Sequence, residues 1–145
     1  MRVFLCAFKG FSVAIPMAAI ASVALHDSES IEYKEDRKTA ISLPGLFNLP
    51  GELIRHIIIL KNSDTENDYT DENNIILLTT EIKCEIDISD QQIFPLPKAL
   101  SATRFSILFS GIQFNAGQFS DTKGGPVFLL NCEELRRFIQ KEEAL

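Results

Sequence analysis

Two segments of the chain follow one plan. Residues 3–23 read as strand, tight turn, strand, proline and a short amphipathic helix, and residues 75–100 repeat strand, turn and strand before a proline-bounded connection. That plan implies two small β units. The chain has 145 residues and 46% apolar content, enough for one domain or for one domain made of two packed halves.

Residues 2–8 and 11–15 are β-rich runs joined by Lys9-Gly10, a two-residue link suited to a hairpin because glycine tolerates positive φ. Pro16 suits a first helical position, and Met17, Ile20 and Val23 or Ala24 then recur at spacings of three or four among alanines. The spacing predicts a short helix with one apolar face. Residues 26–38 are charged and aperiodic, a loop or an exposed edge. Residues 37–43 can form a strand stopped by Pro44-Gly45, and residues 46–51 a compact apolar turn. Within residues 54–60, Ile57-Ile58-Ile59-Leu60 is the β-branched run of a central strand buried on both faces.

Residues 62–74 hold five acids and no base, a solvated loop. Residues 75–80 and 82–88 are expected to form the next strand pair. In the second of these, Ile82, Cys84, Ile86 and Ile88 alternate with Lys83, Glu85, Asp87 and Ser89, the pattern of a half-buried strand. Phe94-Pro95-Leu96-Pro97 is an extended linker, and residues 104–114 an apolar strand broken at Gly111. A final hairpin brings residues 127–130 in as a buried strand after a polar turn at 119–125. Asn131-Cys132-Glu133-Glu134 fits a capping box before a C-terminal helix with Leu135, Phe138 and Ile139 on its apolar face and Lys141 near its end.

Few chemistries survive inspection of the residues. A net charge of −6 and a pI near 4.9 disfavour nucleic acid and anionic membranes as partners. Cys6, Cys84 and Cys132 are odd in number and far apart, with neither metal-knuckle nor disulfide spacing, and read as buried free thiols of a reducing compartment. Residues 11–25 could pass for the apolar part of a signal peptide, but Lys9-Gly10 interrupts the run, residues 3–8 alternate as a strand does, and Pro16 sits mid-segment. No stretch is long enough to span a bilayer.

Lys123-Gly124-Gly125 lacks the glycine and the hydroxyl residue of a phosphate loop. His26 and His56 have no ligand pair at metal-binding spacing. Asp64, Glu66 and Asp68 alternate like the start of a calcium loop, yet Tyr69 and Ile75 occupy the positions that need Gly and Glu. Ser101 and Ser110 have no base or acid nearby in sequence. The expectation is a non-enzymatic protein with no catalytic residue, cofactor or metal. The apolar face Met17, Ile20, Val23 remains, either as core or as one wall of a groove that takes a partner's helix.

Five segments in order resemble the chemotaxis coupling (CheW-like) domain. They are the opening strand pair into Ala14-Ile15-Pro16, residues 41–50 (Ile-Ser-Leu-Pro-Gly-Leu-Phe-Asn-Leu-Pro), residues 76–82 (Ile-Leu-Leu-Thr-Thr-Glu-Ile), residues 90–97 (Asp-Gln-Gln-Ile-Phe-Pro-Leu-Pro), and residues 127–135 leading to Leu135. The resemblance covers residues 3–139. It implies an all-β fold of two SH3-like five-stranded β-barrels packed together, with short helices including a C-terminal one, in a single domain spanning 1–145.

It further implies a cytoplasmic, bacterial adaptor that binds the cytoplasmic tip of a chemoreceptor and the regulatory domain of a sensor histidine kinase. The receptor hairpin would lie in a groove between the barrels. Carried over position by position, the contacts are Phe4, Met17, Ile20 and Val23 from the first barrel and Ile82 from the second, with Lys34 where the family places an arginine. The family's G-x-x-N-x-R-G loop is shortened here and lacks both glycines and the asparagine, and Thr80 and Asn131 stand in place of two aspartates. The alternatives are a degenerate module of this type that binds another partner and a small-ligand-binding β-barrel.

Overall fold

The computed structural model describes residues 1–25, 39–47, 49, 53–61, 75–96, 108–113 and 126–143. Ten strands and two α-helices run along it: β1 (Arg2–Phe8), β2 (Phe11–Pro16), β3 (Ile20–Leu25), β4 (Thr39–Ser42), α1 (Leu43–Leu46), β5 (His56–Leu60), β6 (Ile75–Thr79), β7 (Ile82–Asp87), β8 (Ile93–Phe94), β9 (Phe109–Ile112), β10 (Val127–Leu130) and α2 (Cys132–Glu143). Single 3₁₀ turns occupy Met17–Ala19 and Asp90–Gln92. The chain divides into two compact units, one from residues 1–18 and 83–145, the other from residues 19–82. Among the described residues, the strands divide six and four between two sheets.

The first sheet runs β7-β1-β2-β10-β9-β8. Its β1–β2 hairpin closes at Lys9-Gly10 with Phe8 opposite Phe11, and Gly10 takes φ +90°, a conformation that suits a residue without a Cβ. Register assigns the two faces. Val3, Leu5, Ala14, Val127, Leu129 and Ile112 join Ile88 in one buried cluster, with Cys84, Ile86 and Ile93 packed against it. The other face carries an aromatic row: Phe8 and Phe11 stack at 5.0 Å, and Phe128 meets Phe11 and Phe109 edge-on at 5.9 and 6.4 Å. Arg2 reaches from β1 to Glu85 and Asp87 of β7 at 3.3 and 3.0 Å.

Residues 75–80 and 82–88 do not pair with each other. β6 lies inside the second sheet and β7 at the edge of the first, and the burial patterns give the reason. β6 is buried on both faces, which only an internal strand can satisfy, whereas β7 alternates half-buried and exposed, which suits an edge.

Gly111 sits inside β9, and the strand is not broken there. A Cβ on Gly111 would stand 2.5 Å from Cζ of Phe94, so the Phe94 ring lies directly over the glycine backbone. Gly111→Ala is expected to push this ring, which is 41% exposed, outward and to cost about 1 kcal/mol. Thermal unfolding of Gly111→Ala, Phe94→Ala and the double variant checks it, because the two losses should not add.

At α2, Asn131 Oδ1 accepts from the backbone N–H of Glu134 at 3.2 Å, as a cap should. The reciprocal half of the capping box is absent: the N–H of Asn131 donates to Leu108 O, and the Glu134 carboxylate accepts from Arg137 at 2.6 Å. Leu135 and Ile139 are buried and Phe138 is half-buried, the expected apolar face.

The second sheet runs β3-β5-β6-β4, with β5 internal and its Ile57, Ile58 and Leu60 buried, as the isoleucine run predicts. Pro44-Gly45 does not stop β4 so much as start α1: Ser42 Oγ accepts from Gly45 N–H at 3.2 Å, and Pro44 stands in the first helical turn, where its missing N–H is no loss. The predicted helix after Pro16 is also corrected. Only Met17–Ala19 make a 3₁₀ turn, and Ile20–Leu25 extend as β3 along β5. The expectations for residues 26–38, 62–74 and 119–125 lie outside the described residues. Among those described, no helix is long and apolar enough to cross a membrane.

Candidate functional site

β3 explains why a strand could imitate a helix. Its pairing with β5 slips between Ile20 and Ser22, so Ile20 stands opposite Leu60 while Val23 stands opposite Ile58 and Leu25 opposite His56. Without this bulge, residues three apart would face opposite sides of the sheet. With it, Ile20, Val23 and Leu25 share one face with His56, Ile58 and Leu60, and through β6 with Ile75, Leu77 and Thr79. That face is deeply buried along β5 and β6, where Ile58, Leu60, Leu77 and Thr79 are inaccessible.

At β3 the same face emerges. Ile20 is half-buried, Val23 is 38% exposed and Leu25 75% exposed. The result is an uncharged apolar strip at a sheet edge, continuous with the core behind it. Leu25 was missed in the sequence because helical spacing stops at Val23; strand alternation from Val23 would have found it.

The remaining expected contacts are placed as follows. Phe4 is half-buried on β1, on the face that carries the aromatic row, and Met17 is half-buried in the 3₁₀ turn. Ile82 opens β7, half-buried, in the alternation its sequence predicts. Ile20, Val23 and Ile82 all fall in the unit of residues 19–82, and Phe4 and Met17 in the other, so the division differs from the expected one. Lys34 lies outside the described residues.

His56 has partners that the sequence did not suggest. Its Nδ1 lies 3.3 Å from the backbone N of Ile82 and 3.4 Å from the carbonyl O of Thr80, so the imidazole fills the turn that leads from β6 to β7.

Among the described residues, no cluster of three or more His, Cys, Asp or Glu is arranged to hold a metal ion. All three cysteines are free thiols; Cys6 is buried, and Cys84 and Cys132 are half-buried. Burial pushes the Cys132 thiol up to about 11, against the opposing charge of Arg136. An anion forms there only at the cost of desolvation, so this thiol is a poor nucleophile. Native Cys132 is expected to alkylate about a hundredfold more slowly at pH 8 than an ordinary thiol. Mass spectrometry after iodoacetamide treatment, with and without urea, checks this. A raised pKa also means that the thiol's contribution to stability is complete below pH 9 and lost as pH rises through about 11.

The described elements are two mixed sheets and a C-terminal helix, and the chain has a CheW-like fold. Among solved structures it is similar to the scaffolding protein TtCheW from Thermoanaerobacter tengcongensis, with a TM-score of 0.57 over 90% of this chain and 83% of that one, at 12% identity. No protein-family model and no curated protein matches the sequence.

Proposed function

We propose that this protein is a non-enzymatic chemotaxis adaptor, a divergent CheW-like domain of two SH3-like barrels that couples chemoreceptors to a sensor histidine kinase in a bacterial cytoplasm. The observation that carries the reading is the strip Ile20, Val23, Leu25, uncharged and emerging from the core face of its sheet in a chain of net charge −6. A monomer gains nothing from holding such residues in water, whereas an apolar helix face laid along them removes both surfaces from solvent. Phe4, Met17 and Ile82 are the other apolar docking residues, and Lys34 the polar one. Coupling then follows from simultaneous docking on two proteins, so that movement of one is felt by the other.

The test is titration calorimetry of the purified chain against a chemoreceptor signalling-tip fragment and against the kinase regulatory domain of the same genome. Micromolar binding to either supports the adaptor. Folded protein that binds neither overturns it and favours a module kept for another partner, the reading to which the shortened G-x-x-N-x-R-G segment points.

A further inference from the structure

We propose that His56 is a proton-operated latch on Ile82. The geometry around Nδ1 offers it two partners of opposite kind. The backbone N of Ile82, at 3.3 Å, can only donate, and the carbonyl O of Thr80, at 3.4 Å, can only accept. One ring nitrogen has one in-plane position, filled either by a lone pair or by a proton, so it serves one of these groups at a time. With Nδ1 unprotonated it accepts from Ile82 and ties the start of β7 to β5. With the imidazolium formed, both ring nitrogens carry protons; Nδ1 must then donate to Thr80, and Ile82 is released.

The balance is simple. One proton is taken from solvent, one hydrogen bond is exchanged for another, and no covalent bond changes. Histidine is the side chain whose charge ordinarily changes between pH 5 and 8, which sets the range over which the exchange is sought.

Among the described residues, the strands around His56 leave the switch to the imidazole. β3, β4, α1 and β6 contain no charged residue, and within β5 itself His56 is the one titratable group. The charged residues that adjoin the latch in sequence are Arg55, beside His56, and Glu81 and Lys83, on either side of Ile82, with the Arg55 N–H bound to Thr79 O. His56 is half-buried, with Leu25 and Thr79 as its cross-strand neighbours. Ile82 is both the latched residue and, on the adaptor reading, a docking residue. His56 is therefore a positioning residue for docking, and this last step rests on that reading.

The experiment follows the Ile82 amide and the His56 ring nitrogens together by NMR from pH 8 to pH 5. The Ile82 amide shift should titrate with the midpoint of the His56 ring. Its protection factor, corrected for intrinsic exchange, should fall about tenfold below that midpoint. In His56→Phe the Ile82 amide should be poorly protected at every pH. An Ile82 amide that stays protected while His56 titrates overturns the latch, and so does unchanged protection in His56→Phe.

If His56→Phe does not fold, the wild-type titration decides alone. Calorimetry of partner binding at pH 8 and pH 5.5 separates the two claims. An Ile82 amide that follows His56 while affinity stays constant upholds the latch and removes Ile82 from the docking set.

Discussion

Ile58→Ala is expected to lower the stability of the unit formed by residues 19–82 by about 2–5 kcal/mol, the range for truncating a fully buried isoleucine. Ile58 is inaccessible at the middle of β5, with Val23 opposite on one side and Leu77 on the other. Both neighbours are held by strand pairing, so neither can move in to fill the space, and the loss falls toward the upper end of the range. Domains hold together by only about 5–15 kcal/mol, and small ones bury the least surface per residue. Urea unfolding should show an earlier midpoint with little change in slope, since the same surface is exposed on unfolding. Ile59→Ala, one residue along and half-buried on the opposite face, should cost clearly less. Equal losses at both positions would mean that the face assignment of β5 is wrong.

What the sequence revealed and what it concealed can be traced to single residues. β5 was legible because four consecutive β-branched or aliphatic residues have no solvated face to offer, and β7 because Ile82, Cys84 and Ile86 alternate with Lys83 and Glu85 without a break. The β1–β2 hairpin was legible from Lys9-Gly10, where a single glycine fixes the turn.

The failures came from geometry that is not local. Spacing of three at Met17, Ile20 and Val23 fits a helix, and it fits equally a strand with a bulge; only the pairing of Ile20 with Leu60 and of Ser22 with Ile59 decides. β6 and β7 are adjacent in sequence and separated by two residues, yet they belong to different sheets, because an internal strand and an edge strand need different neighbours. The reach of His56 to Ile82 spans 26 positions, and no spacing rule connects them. The exposed apolar strip of β3 was half legible: Ile20 and Val23 were singled out by a helical spacing that the strand does not have, and Leu25 was passed over for the same reason.

Val23→Asp is expected to weaken partner binding at least thirtyfold while leaving the fold cooperative, and the two effects separate because of where the residue stands. Val23 is 38% exposed on an edge strand, so an aspartate can turn its carboxylate to water, and the cost to folding stays within about 1 kcal/mol, the span of β-propensity. When a partner covers the strip, that carboxylate must be desolvated against apolar side chains, which costs about 2 kcal/mol or more, enough for the thirtyfold loss.

Ala40→Asp is the matched control. Ala40 is exposed on β4, at the far edge of the same sheet and on its opposite face, and the same charge placed there should leave affinity unchanged. Ile20→Asp is a harsher change, because Ile20 is half-buried and should lose stability as well as binding. Affinity measured by calorimetry, beside thermal unfolding of each variant, tells these cases apart. A Val23→Asp protein that folds and still binds as tightly as the parent removes the strip from the interface. One that fails to fold shows that the strip is held as core, and docking must then be sought at Phe4 and Met17.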